Sequence, residues 1–408
     1  GRAALDLLAP GPRPDLRRLL AGRTTSLPDD RLIALFKMLE LIGSSGIALP
    51  DWLADGDARR RLQHAIMQRR TAKAAQAVLP DRFRGRTREL AALRDFALTG
   101  GLPKPGTSAI RRLGDASPDG VPTLLVAGIG GTGKSALLEQ LRRSLKSTDR
   151  VVLARFDLDR AALRMGDQVA LAQELLRQIG YALPTLDAGI AGLRAQIRNA
   201  MALSQGPIDI EAAASAIFGA ISGLRELLAG AGVDDRALVI VIDTFEEALV
   251  LGPQRVAQIA EWLRTLRDHG SFAALRVILS GRSTETLTEM PQDLAMLGVI
   301  ELDELGTRAG GAKLRDMFRR LGIAHEDLIP DLIAEFGSNP LVIEVLAIFC
   351  RDKPRDEITG LMNDDDVDSR AGLNAEMRQC FLYTRILDRL ADAELKPLAN
   401  PGLVLRRI

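Results

Sequence analysis

Short apolar runs recur along the middle of the chain, separated by segments whose apolar residues return every three or four positions. The runs are 123–127 (TLLVA), 150–156 (RVVLARF), 237–242 (ALVIVI), 275–280 (LRVILS) and 297–302 (LGVIEL). Each is rich in Val, Ile and Leu without polar alternation, the pattern of a strand covered on both faces. The intervening segments, such as 168–180 and 254–267, carry helical periodicity. Strands alternating with helices predict a parallel sheet, here five-stranded, with helices on both sides. Residues 99–122 (TGGLPKPGTSAIRRLGDASPDGVP) read as a Gly-, Pro- and Ser-rich loop between a helix at 87–98 and the first strand.

Before this region the chain reads as helical. Residues 30–41 (DRLIALFKMLEL) show a helical apolar pattern, and a helix over 55–78 carries Arg59, Arg60, Arg61, Arg69 and Arg70. Without interleaved aromatics to stack on bases, that arginine-rich face is read as solvated rather than as a nucleic-acid surface. After Asp303 the strands stop, and helices are expected at 311–321, 325–336 and 341–350. An acidic linker at 363–369 and a helix at about 374–390 follow. The resulting division is 1–80, a helical N-terminal region; 81–305, the α/β domain; 306–360, a small helical domain; and 361–408, the start of a further domain.

Composition narrows the classes. Hydrophobic residues make up 47% and charged residues 26%, enough for sizeable cores. The formal net charge of +1 gives no general pull toward nucleic acid or membrane. Two cysteines, Cys350 and Cys380, and three histidines leave no zinc-site spacing and no disulfide framework, so a reducing cytoplasm is expected. No apolar run reaches membrane-span length, and no signal peptide is read. The absence of an initiator Met and the apolar final residues predict a piece of a longer protein.

Gly128-Ile129-Gly130-Gly131-Thr132-Gly133-Lys134-Ser135 matches G-x-x-x-x-G-K-[ST], directly after an apolar strand and directly before a helix that opens with Ala136. Gly128, Gly130, Gly131 and Gly133 let the loop curl so that backbone N–H groups, including that of Thr132, converge on phosphate oxygens. The helix N-terminus aims at the same anion. Lys134 supplies a positive charge for the β- and γ-phosphates, and Ser135 a hydroxyl for Mg²⁺. The expected ligand is ATP or ADP with Mg²⁺. The run 238–242 ends in Asp243, the expected acidic partner of the metal. Glu246, at the start of the next helix, is placed to polarise a water; its alternative role is stabilisation of a helix N-terminus. Arg282, just past the run 275–280, lies where such sheets form their ligand crevice and is expected to read the γ-phosphate.

Together these residues resemble the STAND family, signal-transducing ATPases related to AAA+ and NB-ARC proteins. Phe83-Arg84-Gly85-Arg86-Thr87-Arg88-Glu89-Leu90 looks like the F-x-G-R-x-x-E-L box of that family and of origin-recognition ATPases. The resemblance implies that Arg84, Gly85 and Arg86 lie against adenine, that Arg282 holds the sensor position, and that Pro340, in a G-x-P-like Gly337-Ser338-Asn339-Pro340-Leu341, packs near base and ribose. Residues 381–387 and 401–404 look like the opening of a winged helix. The sequence departs from the family at Thr244, where many members carry a second acid, so hydrolysis is expected to be slow or to lean on Glu246. The resemblance implies a nucleotide-operated switch, an ATP hydrolase that self-associates on ATP binding and answers to an effector or trigger protein. Two alternatives stand beside it: a DNA-associated ATPase of the origin-recognition or loader type, and a nucleotide-binding scaffold without turnover.

Overall fold

The computed structural model describes residues 83–362, apart from 103–108, 114–118, 147, 160–162, 164–167, 204–209, 271, 283 and 352. The expectations for 1–80 and for the winged helix lie outside the described residues. The chain order is α1 (Thr87–Thr99), β1 (Ile110–Arg112), β2 (Val121–Ala127), α2 (Lys134–Leu145), β3 (Val151–Asp157) and α3 (Gln168–Ala182). Next come α4 (Asp187–Leu203), α5 (Ile210–Gly230), β4 (Ala237–Asp243), α6 (Glu246–Val250), α7 (Pro253–His269), β5 (Ala274–Gly281) and β6 (Leu294–Glu301). Four helices close the described chain: α8 (Thr307–Leu321), α9 (Ile329–Phe336), α10 (Pro340–Cys350) and α11 (Arg355–Met362).

The strands form one sheet in the order β1-β6-β2-β5-β4-β3. The five expected strands are all present and mutually parallel. The expectation of a purely five-stranded parallel sheet is corrected by β1, which pairs antiparallel with β6 through Ile110↔Ile300 and Arg112↔Gly298. It lies inside the segment read as loop. Its three residues, two of them exposed arginines, carry no apolar signature. Pairing with β6 supplies what local propensity does not.

Alternation along the inner strands divides the sheet's faces. Leu238, Ile240 and Ile242 of β4 join a core with α3, α4, α5 and α7, centred on Phe156 and Trp262, whose rings meet edge to face at 5.3 Å. Val239 and Val241 face the other way and pack with Leu124, Val126 and Ile278 against α1 and α2. Both faces are therefore apolar, which is why these strands read as continuous runs. The helices α8–α11 have a core of their own around Phe318, Leu332, Ile343 and Leu346. α8 begins at Thr307, earlier than expected. The expected helix at 325–336 opens as a tight turn at Glu326–Leu328 before α9, because Pro330 belongs in a first helical turn.

Candidate functional site

β2 ends at Ala127, and the chain bends at once between two neighbours. Gly128 N–H donates to the Gly281 carbonyl at 3.2 Å, and Leu302 N–H donates to the Ala127 carbonyl at 2.7 Å. A Cβ at Gly128 would stand 2.7 Å from the Leu302 carbonyl oxygen and 2.9 Å from Thr132 Oγ1, so only glycine fits. Gly131 (φ 77°) and Gly133 (φ 90°) then take left-handed backbone and complete the curl into α2. Buried Thr132 fastens the loop by donating its hydroxyl to the Ile129 carbonyl at 2.9 Å. Lys134 Nζ donates to the carbonyls of Gly128 and Ile129, which holds the ammonium over the loop. Ser135 and Ala136 follow in the first turn of α2, whose N-terminal N–H groups point into the same concavity.

β4 brings Asp243 to this helix. Ser135 Oγ donates to Asp243 Oδ2 at 2.9 Å across 108 residues of sequence. The same oxygen accepts from Arg155 Nη2 at 2.5 Å, and Thr244 N–H donates to Oδ1 at 3.1 Å. Burial alone would push the Asp243 carboxyl up. The Arg155 charge, with hydrogen bonds from Arg155 and Ser135, outweighs burial and holds it below the usual carboxylate range. Thr244 itself adopts φ 58°, a strained conformation for a β-branched residue. Its Oγ1 lies 3.4 Å from Asp157 Oδ1.

Glu246 opens α6, and its Oε1 accepts from Arg282 Nε at 3.1 Å. Oε2 is buried without a hydrogen-bond partner. Burial raises the Glu246 carboxyl, and the nearby Lys134 and Arg282 charges offset this only in part. Arg282 leaves the end of β5, which lies between β2 and β4, so it reaches the crevice from the centre of the sheet.

Arg86 and Pro340 connect the segment before α1 and the helical bundle to the loop, and Arg84 and Gly85 connect that segment to Asp316, Leu305 and Ala309. Arg86, in left-handed backbone (φ 59°), donates to the carbonyls of Thr132 and Asp303 and pairs with Glu89 at 3.3 Å. Arg84 grips Asp316 of α8 with two hydrogen bonds, at 2.7 and 3.2 Å. A Cβ at Gly85 (φ 74°) would press on Leu305 and Ala309 at 3.0 and 3.3 Å. From the bundle side, the Pro340 ring lies 3.7 Å from where a Cβ of Gly133 would be. Asn339 caps α10 by accepting from Leu341 N–H at 2.9 Å.

Among the sequence-predicted residues, contacts join Lys134 to the Gly128 and Ile129 carbonyls, Ser135 to Asp243, Glu246 to Arg282 and Arg86 to the Thr132 carbonyl, while Arg84 and Gly85 contact Asp316, Leu305 and Ala309. Sequence reasoning did not single out Arg155 or Asp316. Arg155 left one trace, a charge inside an otherwise apolar strand; Asp316 left none, being one acid on a polar helix face. The donor set fits Mg²⁺: a hydroxyl and a carboxylate in contact, both hard oxygen ligands. Among the described residues no cluster of three or more His, Cys, Asp or Glu could hold a metal alone. No helix among the described residues is long and apolar enough to cross a membrane.

Residues 107–283 match the AAA ATPase domain family. Similar solved structures include Cdc6p of Pyrobaculum aerophilum, 15% identical, covering 67% of this chain and 65% of that one, with a TM-score of 0.44. The ORC2 protein of Aeropyrum pernix, in ADPNP–ADP complexes, is 15% identical over 80% of this chain and 79% of that one, with a TM-score of 0.40. A signal transduction ATPase with numerous domains from Pyrococcus horikoshii, carrying a tetratricopeptide repeat sensor, is 15% identical over 80% and 39%, with a TM-score of 0.33. The chain therefore spans less than two thirds of the length of Cdc6p. No curated protein matches the chain. The matched segment takes in the glycine loop, the acid-tipped β4 and Arg282, and over these residues the chain is similar to the AAA ATPase domain family.

Proposed function

We propose that the chain is an ATP/ADP-operated switch, in which the nucleotide held at Gly128–Ser135 sets whether the helical bundle α8–α11 stays closed against the loop. The observation that carries this reading is the set of contacts from the bundle and the Arg84–Arg86 segment: Pro340 against Gly133, Arg84 on Asp316, and Arg86 on Thr132 and Asp303. A ligand shifts such an equilibrium only through different affinity for the closed and open forms. A γ-phosphate, reached by Lys134 and Arg282, is the part of ATP that ADP lacks.

In this reading Lys134 and the loop N–H groups bind the phosphates, and Ser135 and Asp243 hold Mg²⁺. The ion supplies charge neutralisation of the phosphates. Glu246 accepts a proton from, or orients, the attacking water through Oε2, while Arg282 holds its other oxygen. Thr244 at the position of a second acid supports slow turnover. Self-association in the open form and an effector or trigger protein as partner belong to the same reading.

The experiment is a distance measurement between fluorophores on α2 and α11 in the full chain, alongside steady-state hydrolysis. The expected result is a short distance with ADP, a longer one with a non-hydrolysable ATP analogue, and turnover below about 1 s⁻¹. An unchanged distance with both nucleotides, or fast untriggered turnover, contradicts the switch. Salt-sensitive binding of duplex DNA would favour the loader-type alternative. Absence of product in a single-turnover assay, for wild type and Glu246→Gln alike, would favour a scaffold.

A further inference from the structure

β3 is the sheet's outer strand on the side opposite β1, and at Arg155 its exposed edge is closed by one side chain. Gln178 of α3 donates Nε2–H to the Arg155 carbonyl at 2.6 Å and accepts from Arg155 N–H at 2.7 Å. Gln178 Nε2 also donates to Glu174 Oε1 at 2.8 Å, which fixes the orientation of the amide. This clamp caps a strand edge that would otherwise be open to pairing. It also fixes the backbone from which the Arg155 side chain departs.

That side chain runs to Asp243. Nη2 donates to Oδ2, the oxygen that also accepts from Ser135. The guanidinium is largely buried, and its Nε has no hydrogen-bond partner. Arginine cannot lose its proton in proteins, so the positive charge beside Asp243 is permanent. A divalent ion seated between Ser135 and Asp243 has to share that carboxylate with a cation already in contact with it.

We propose that Arg155 is a resident cation of the metal site: it competes with Mg²⁺ for Asp243 and lets the loop hold a nucleoside diphosphate with little help from a divalent ion. Gln178 is its positioning residue. The proposal rests on the nucleotide-binding reading above. Linkage makes it measurable from both sides: the factor by which Mg²⁺ tightens nucleotide equals the factor by which nucleotide tightens Mg²⁺. In this chain Arg155 keeps that factor small.

The test uses the full chain and a fluorescent ADP analogue, titrated with Mg²⁺ present and with EDTA. Binding of Mn²⁺ in the presence of ADP is read separately by electron paramagnetic resonance. Wild type is expected to change affinity by less than about threefold on chelation. Arg155→Gln should lose about tenfold on chelation and bind Mn²⁺ about tenfold tighter than wild type, within the usual span of site-to-site coupling. Arg155→Lys keeps the charge and should behave as wild type, while Gln178→Leu should shift the chelation ratio partway toward that of Arg155→Gln. Thermal melts check folding, and should Arg155→Gln not fold, the Lys and Gln178 variants carry the comparison. If wild type binds ADP but Arg155→Gln has the same chelation ratio and Mn²⁺ affinity, Arg155 is only a structural ion pair and the inference is overturned. If wild type binds no ADP under either condition, the nucleotide reading itself fails.

Discussion

The ion pair between Arg84 and Asp316 is a handle on the clamp, because it joins the segment before α1 to the helical bundle without touching the glycine loop. Its two hydrogen bonds, at 2.7 and 3.2 Å, make it bidentate. Its side chains are 38% and 23% exposed, so solvent screens it. Exposed pairs contribute about 0.2–1 kcal/mol, and the two-pronged geometry puts this one near the upper end. If closure of the bundle retains ADP, removing about 1 kcal/mol of closure should speed ADP release about fivefold. The assay is a chase of bound fluorescent ADP from wild type, Arg84→Ala, Asp316→Ala and the double variant. Asp316→Ala should release ADP about fivefold faster. Arg84→Ala should match or exceed it, the excess measuring direct contact of Arg84 with nucleotide. The double variant should be no faster than Arg84→Ala, giving a coupling of about 1 kcal/mol. Strictly additive effects, or release from Asp316→Ala unchanged from wild type, would refute the claim that bundle closure retains the nucleotide.

Other outcomes follow from the same geometry. Gly128→Ala should lose about 1–3 kcal/mol in urea denaturation, because its Cβ meets the Leu302 backbone, which cannot give way as a side chain does. Gly192→Ala in α4, where a Cβ meets nothing within 4 Å, should instead gain about 0.5–1 kcal/mol. Leu346→Ala in the fully buried centre of the bundle should cost about 2–5 kcal/mol, read as a lowered melting temperature. The two site carboxylates should show opposite pH dependence. Asp243 is held below its unfolded value, so its stabilisation is present above about pH 4 and fades as pH falls toward its folded pKa. Glu246 is held above its unfolded value, so it favours the fold at low pH and opposes it as pH rises past about 4.3. Asp243→Asn should therefore melt below wild type at neutral pH and converge with it in acid. Glu246→Gln should melt above wild type at neutral pH while losing turnover.

What the sequence revealed and what it hid divide along physical lines. β2, β4 and β5 were legible because they are covered on both faces, and double burial writes an unbroken apolar run such as 238–242; β3, which alternates buried and half-buried positions, was legible from its Val and Leu content. The glycine loop was legible because its backbone demands glycine where a side chain would strike the Leu302 carbonyl or force a strained φ. β1 was not legible: Arg111 and Arg112 are exposed, and the strand exists because β6 offers an edge. The start of β6 was read three residues late because Leu294–Met296 pair with β2 across a register shift at Thr123/Leu124. Arg155 hid for another reason. Its partner Asp243 is 88 residues away, and only the adjacency of β3 and β4 brings them together. The link from Arg84 to Asp316 spans 232 residues and has no local trace at either end.

Everything above depends on nucleotide being held by the loop of Gly128–Ser135, and Lys134→Ala tests that most directly. Lys134 begins α2 with its partly buried ammonium over the loop carbonyls. Equilibrium binding of fluorescent ADP and ATP to wild type and Lys134→Ala, with melting temperatures taken alongside, is the measurement. The account predicts measurable binding by wild type, and a loss of at least about 2–3 kcal/mol in Lys134→Ala, about 30- to 150-fold, at nearly unchanged melting temperature. Equal binding by both proteins, or none by wild type, would contradict it.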